Sequence, residues 1–255
     1  MTPIKAVLLD LSGVLYDGAT PLPGAVEAIT RLSETGLPVR YVTNTTRSTR
    51  RDTLDRLSIM GFSIQENEVF TAPNAVHDYL KKNNLSPFLV VHPQLETEFA
   101  DLPTDQPPAV VIGDAADAFT YGRLNQAFRL LMNGAPLLAM GNNRYFKENN
   151  NLSLDMGPFV AALEFAADKK AQIIGKPAKA FFKAAVSSTG CRTEEAVMVG
   201  DDVLSDVIGA VDAGLQGILV KTGKYREKDE LQLADSNKGY CVTDISEAVD
   251  LIIQI

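Results

Sequence analysis

The stretch "AVLLDLSGVLYDG", residues 6–18, decides the fold. Its apolar half, extended to "IKAVLLDL" (4–11), reads as a strand buried on both faces, because no polar residue alternates with Val7, Leu8 and Leu9. Such a strand belongs inside a parallel sheet. It ends on an acid, Asp10, with Ser12 and Gly13 close behind. An acid at that place is either a cap or turn residue, or a group that the sheet exists to hold.

Working outward, the same alternation of apolar run and helical pattern recurs. "GAVEAITRLSETG" (24–36) places Val26, Ile29 and Leu32 on one helical face and stops at Gly36. "PVRYVTN" (38–44) reads as a second strand, and "TTRSTRRDTLDRLSIMG" (45–61) as a helix closed by Gly61. "NEVFTA" (67–72) is a short strand, followed by a helix over 73–83 with Pro73 in its first turn. Towards the end, "EEAVMVGDD" (194–202), "VLSDVIGAVDAG" (203–214), "QGILVKTG" (216–223) and "ISEAVDLIIQI" (245–255) repeat strand, helix, strand, helix. This order predicts an α/β fold: a Rossmann-like, doubly wound parallel sheet with helices on both faces.

The middle of the chain breaks the rhythm. Residues 86–115 carry two strand candidates around a Pro/Asp-rich loop, and 121–141 a helix and a strand. The Asn-rich segment "NNRYFKENNNLSLDMGPF" (142–159) reads as a long irregular loop, and helix resumes in "VAALEFAADKK" (160–170). The simplest organisation is a split core, 1–77 and 174–255, with an inserted α/β cap domain at 78–173.

Among the 255 residues, 24 are basic and 32 acidic, a net charge of −8 that argues against nucleic acid or an anionic membrane surface as partner. It leaves a small phosphorylated substrate open, since one bound cation inverts the sign of a local site. No run approaches the ~18 apolar residues of a membrane span. Cys191 and Cys241 form no metal-binding spacing, and "MTPIKAVLLD" lacks the pattern of a secretory signal, so the expected home is the cytoplasm. Neither GxGxxG nor a Walker lysine motif occurs.

In open parallel sheets, ligands bind beyond the carboxyl ends of the strands. The polar residues expected there are Asp10 and Ser12, Thr43 and Asn44, Lys176 in "QIIGKPAKAFF", and Asp201, Asp202 and Asp206 in "VMVGDDVLSD". Singly, each has an ordinary reading as cap, turn or surface residue. Together they supply what a divalent cation and a phosphate need: carboxylate oxygens for a hard cation, and a lysine, a hydroxyl and helix N-terminal amides for phosphate oxygens. One carboxylate is left over as a nucleophile.

The ordered set "DLSGV" (10–14), "VTN" (42–44), "GKP" (175–177) and "GDDVLSD" (200–206) resembles the four motifs of the haloacid dehalogenase-like (HAD) superfamily. The insert between the second and third resembles the type-two cap of the NagD-like subfamily. "AFRLLMNGAPLLA" (127–139), "GPFVAALEFA" (157–166) and "GILVKTGKYR" (217–226) look like one branch of it, that of the hydrolase domain-containing protein 2 group and the phospholysine phosphohistidine inorganic pyrophosphate phosphatases. The resemblance spans essentially the whole chain and implies an aspartyl-phosphate phosphatase. It makes Asp10 the nucleophile and gives Mg²⁺ to Asp10, the Ser12 carbonyl and Asp201, with Asp202 and Asp206 orienting that shell. Thr43 and Asn44 would bind the phosphoryl oxygens, and Lys176 would offset their charge. Relatives with this cap often form dimers through it, which leaves a homodimer as an expectation.

The sequence departs from the superfamily at position 12. Most of its phosphatases carry a second aspartate there, which protonates the leaving group and later activates water; general acid–base help of this kind is worth ~10²–10⁴-fold. Three readings stay open. The substrate needs no acid, as with phospholysine, phosphohistidine or pyrophosphate; another group such as Asp17 or His92 substitutes; or the protein binds phosphate with little or no turnover, in a regulatory or interaction role. A dehalogenase would leave the acid cluster and Lys176 with little purpose. Arg144, Tyr145 and Lys147 are candidate readers of the leaving group, "TRSTRR" (46–51) reads as a solvated helix face, and "GDAADA" (113–118) as a turn that only imitates the metal motif.

Overall fold

The computed structural model describes residues 3–148, 151–233 and 239–254. In chain order its elements are β1 (Ala6–Asp10), β2 (Tyr16–Asp17), β3 (Thr20–Pro21), α1 (Ala25–Glu34), β4 (Val39–Thr43), α2 (Arg50–Ile59), β5 (Val69–Thr71), α3 (Ala72–Lys82), β6 (Ser86–Val90), β7 (Pro108–Ile112), α4 (Tyr121–Met132), β8 (Leu137–Ala139), β9 (Tyr145–Glu148), β10 (Asn151–Leu154), α5 (Gly157–Ala167), β11 (Gln172–Ile173), α6 (Lys179–Ser187), β12 (Ala196–Gly200), α7 (Gly209–Ala213), β13 (Gln216–Val220), α8 (Asp229–Leu233), β14 (Gly239–Val242) and α9 (Ile245–Gln254). They fall into two compact units. One comprises 1–43, 50–70 and 176–255, the other 44–49 and 71–175.

The first unit is built on a six-stranded sheet in the order β14-β13-β12-β1-β4-β5. Strands β1, β12 and β13 are buried at every position, which is why their sequences read as unbroken apolar runs. Val7 and Leu9 join one apolar cluster with Ile29 and Leu32 of α1 and Val249 and Ile252 of α9. Leu8 points to the other face, where α6 packs against β1 and β4. From β1 the chain moves outward through β4 to β5, and later returns at β12 to move outward the other way. The order therefore reverses between β1 and β12. That reversal opens a crevice at their carboxyl ends, which carry Asp10 and Asp201.

The second unit has its own parallel sheet, β11-β8-β7-β6, and its own core, which includes Val76, Leu80, Ile112, Leu131, Leu138 and Val160. Helix α3 packs within this unit, so the division falls after Phe70, ahead of the boundary at 78 expected from the sequence. The segment 142–159, expected as an irregular loop, contains the antiparallel hairpin of β9 and β10, and α5 begins earlier than expected, at Gly157. The polar composition hides the hairpin because β10 is largely solvent-facing. Both expected helices next to the crevice also differ. The one read over 45–61 starts at Arg50, since Thr46 uses its hydroxyl to accept the Asp114 N–H at 3.0 Å instead of joining a helix. The one read over 203–214 opens with a wide π-type turn, Val203–Ile208, before the short α7.

Candidate active site

Asp10 closes β1 and is 8% exposed. Lys176 is 4% exposed, and its Nζ lies 2.6 Å from Asp10 Oδ1 and 2.7 Å from Asp206 Oδ1. Burial opposes the ammonium charge, but Asp10 and then Asp206 outweigh it and hold Lys176 above its ordinary pKa. Gly209 gives the Lys176–Pro177 segment room: a Cβ there would come within 2.7 Å of Pro177 Cβ.

Asp201 and Asp206 follow β12. The Asp202 side chain explains their different directions, because its Oδ1 accepts the N–H groups of Leu204 and Ser205 and caps the π-type turn. The Asp202 carbonyl accepts the Asp206 N–H at 2.9 Å and the Val207 N–H at 3.4 Å. The widened turn carries Asp206 back towards the strand end, where its Oδ2 accepts the Asp202 N–H at 3.2 Å. Gly200 is required here, since a Cβ would stand 2.2 Å from Asp206 Cβ. Both oxygens of Asp206 are thus engaged, one by Lys176 and one by backbone.

Asp201 is different. Its Oδ2 accepts the Lys224 N–H at 2.8 Å, while its Oδ1 is buried with no hydrogen-bond partner among the described residues. Leaving a buried carboxylate oxygen unpaired is costly unless something else binds it. Carboxylate oxygens of Asp10, Asp201 and Asp206 lie within 4.8 Å of one another. Burial, with the charges of Asp10 and Asp206, pushes the Asp201 carboxyl up to about 7. Burial and Asp10 push Asp206 up to about 6, against the opposing pull of Lys176.

These features fit a divalent cation. The donors are hard oxygens, one is orphaned, and the charges leave room. Asp10, Asp201, Asp202 and Asp206 face two ammoniums, Lys176 and Lys224, the latter 3.5 Å from Asp202. Four negative charges against two positive leave the two that a divalent cation would balance.

The remaining expected residues fall as follows. Thr43 ends β4, buried, one residue past the pairing of Asp10 with Val42. Asn44 counts with the second unit, where its amide lies against Gly141 and Gly175; a Cβ on Gly175 would stand 2.7 Å from Asn44 Oδ1. Ser12 is exposed in the turn after β1, which is closed by the Gly13 N–H donating to the Tyr16 carbonyl at 2.7 Å. Asp17 is exposed on the short β2–β3 hairpin. His92 caps the turn Pro93–Phe99, its Nδ1 accepting the Gln94 N–H at 3.4 Å, so its ring has a structural task. Arg144 and Tyr145 are exposed, and the side chain of Lys147 lies outside the described residues. The reading of "TRSTRR" as a helix face holds for Arg51, which pairs with Asp55 within α2. It fails for Arg47, which precedes the helix, pairs with the buried Asp114 at 2.5 Å and sits over the Phe146 ring at 4.6 Å.

Sequence reasoning missed Thr222, Gly223 and Lys224. They follow β13, the neighbour of β12, so the rule that picked out the acids at strand ends would also have reached them.

A family model described as haloacid dehalogenase-like hydrolase matches residues 7–103, and one described as HAD-hydrolase-like matches 173–248. The chain belongs to the haloacid dehalogenase-like hydrolases. Within that class it is 47% identical over 251 residues to haloacid dehalogenase-like hydrolase domain-containing protein 2 of Bos taurus, covering 98% of this chain and 96% of that one. It is 43% identical over 256 residues to phospholysine phosphohistidine inorganic pyrophosphate phosphatase of Danio rerio, covering 98% of this chain and 94% of that one. Among solved structures, 4-nitrophenylphosphatase from Thermotoga maritima superposes with a TM-score of 0.88 at 26% identity, covering 98% of this chain and 97% of that one. NagD from E. coli K-12 superposes at 0.82 and 24% identity, covering 97% and 98%, and shares the fold. Among the described residues, no helix is long and apolar enough to cross a membrane.

Proposed function

We propose that this hydrolase is a Mg²⁺-dependent phosphatase that works through an aspartyl-phosphate on Asp10. Its preferred substrates are small phosphoryl compounds or phosphoamino acids whose leaving group needs no acid: phosphoramidates such as phospholysine and phosphohistidine, and pyrophosphate. The observation that carries the reading is the buried cluster itself, in which Lys176 is clamped between Asp10 and Asp206 while Asp201 Oδ1 has no hydrogen-bond partner among the described residues. The name of the Danio rerio relative supports the substrate class.

Asp10 is the nucleophile: rigid at the end of a central strand, it needs no rearrangement to meet a phosphorus atom. The proton of Lys176 stays on the lysine, whose ammonium offsets the charge shared by Asp10 and the transferring oxygens. Asp206 holds Lys176 in place. Thr43, and Asn44 next to it in the chain, are the hydroxyl and amide assigned to the phosphoryl oxygens. Asp10, Asp201 and the Ser12 carbonyl would hold the cation, with Asp202 fixing the turn behind them. When bound, the cation supplies further neutralisation of phosphoryl charge. Ser12 cannot protonate a departing alkoxide near neutral pH. A phosphoramidate leaves as an already protonated amine or imidazole, and pyrophosphate leaves as a stabilised anion, so neither needs that proton.

The test is a substrate panel with Mg²⁺. Imidodiphosphate and pyrophosphate should be hydrolysed faster than simple alkyl phosphomonoesters, and Asp10→Asn should abolish all of it. The reverse order of substrates overturns the leaving-group argument; activity surviving in Asp10→Asn overturns the site.

A further inference from the structure

We propose that Thr222, Gly223 and the backbone N–H of Lys224 form the positioning clamp that aims the Asp201 carboxylate at its cation, an inference that rests on the metal reading above. The segment follows β13 and reaches across to the turn after Asp10. The Thr222 hydroxyl donates to the Gly13 carbonyl at 2.5 Å. The Lys224 N–H donates to Asp201 Oδ2 at 2.8 Å. Gly223 lies between them with φ +59°, a conformation that favours glycine. A Cβ on Gly223 would stand 2.1 Å from Asp201 Oδ2 and 2.6 Å from Gly13 Cα. A Cβ on Gly13 would stand 2.0 Å from the same Oδ2.

Two glycine backbones therefore wall in one oxygen of Asp201, and an N–H holds it. With Oδ2 fixed, the direction of Oδ1 is fixed too, and Oδ1 is the oxygen without a partner among the described residues. The Thr222 bond does a second task. The Gly13 peptide N–H is already tied to the Tyr16 carbonyl, and the hydroxyl ties the Gly13 carbonyl. The first bond orients the Ser12–Gly13 peptide, whose carbonyl is the backbone group assigned to the cation, and the second fixes the adjoining Gly13–Val14 peptide. Outer partners of this kind typically govern metal affinity by ~10–100-fold.

The experiment titrates Mn²⁺ into substrate-free protein and reads free Mn²⁺ by electron paramagnetic resonance, with circular dichroism to establish folding. Thr222→Val keeps the shape and removes the donor; it should weaken Mn²⁺ binding ~10-fold or more, and Thr222→Ser should restore it. Gly223→Ala should weaken it at least as much by displacing Asp201. Wild-type affinity in folded Thr222→Val overturns the clamp, whether or not Gly223→Ala folds. If wild type binds Mn²⁺, Asp201→Asn does not, and Thr222→Val matches wild type, only the clamp falls. If wild type binds none, the metal reading falls and the clamp with it.

Discussion

Replacing Lys176 with methionine, a side chain of similar length, removes the cation at the centre of the cluster without opening a large cavity. The ammonium sits 2.6 Å from Asp10 and 2.7 Å from Asp206, with only 4% and 2% exposure for the Lys176 and Asp206 side chains. At an effective dielectric of about 20, each contact is worth ~6 kcal/mol of Coulomb energy, most of it offset by desolvation. Removing one partner of such a group costs ~3–5 kcal/mol, because the acids stay buried and uncompensated. For a protein of this size that is a fall in Tm of roughly 6–20 °C. The loss should depend on pH. Asp206 is pushed up to about 6 even with Lys176 beside it, so without that cation its pKa rises further. Above that pKa the variant buries an unpaired charge; below it Asp206 takes a proton and the charge disappears. The gap between wild type and variant is thus widest near pH 8 and narrows towards pH 5.5. Differential scanning fluorimetry in the presence of a chelator reads it. A variant within 2 °C of wild type at pH 8, or a gap that widens as pH falls, would refute the reasoning.

Two further outcomes are expected. Ser12→Asp restores a carboxylic acid at an exposed position, so it should leave stability within ~0.5 kcal/mol and raise kcat/KM for alkyl phosphomonoesters, up to the ~10²–10⁴-fold that acid–base help provides; steady-state kinetics on an alkyl phosphate reads this, and no gain would mean that another group limits the reaction. Because the Asp201 carboxyl is pushed up to about 7, a proton competes with the cation for it, and Mn²⁺ affinity should fall ~30-fold from pH 8 to pH 5.5, measured by the same paramagnetic titration.

The core was legible because it is physically simple. Strands buried on both faces read as apolar runs, and β1, β12 and β13 are buried at every residue. Strand ends were therefore visible, and the acids and lysine at those ends could be grouped before any geometry was known. What was hidden depends on competition between local and distant partners. Thr46 resembles a helix residue until Asp114 claims its hydroxyl. The Val203–Ile208 turn reads as ordinary helix because its widening comes from Asp202 capping it and from Asp206 being drawn to Lys176. The Thr222–Lys224 clamp stands at a strand end that the sequence does mark, but its task works through a backbone N–H and the lack of a Cβ, which the search for acids and lysines passes over. Strand β10 of the hairpin is too exposed to show alternation.

The central claim is that Asp10 itself takes the phosphoryl group. Turnover of imidodiphosphate with Mg²⁺, quenched rapidly and reduced with borohydride, converts an aspartyl-phosphate to homoserine, which peptide mass spectrometry can locate. Homoserine is expected at position 10 in substrate-treated wild type, and none without substrate or in Asp10→Asn. Continued phosphate release with Asp10 unmodified, or an adduct on any other carboxylate, would contradict it.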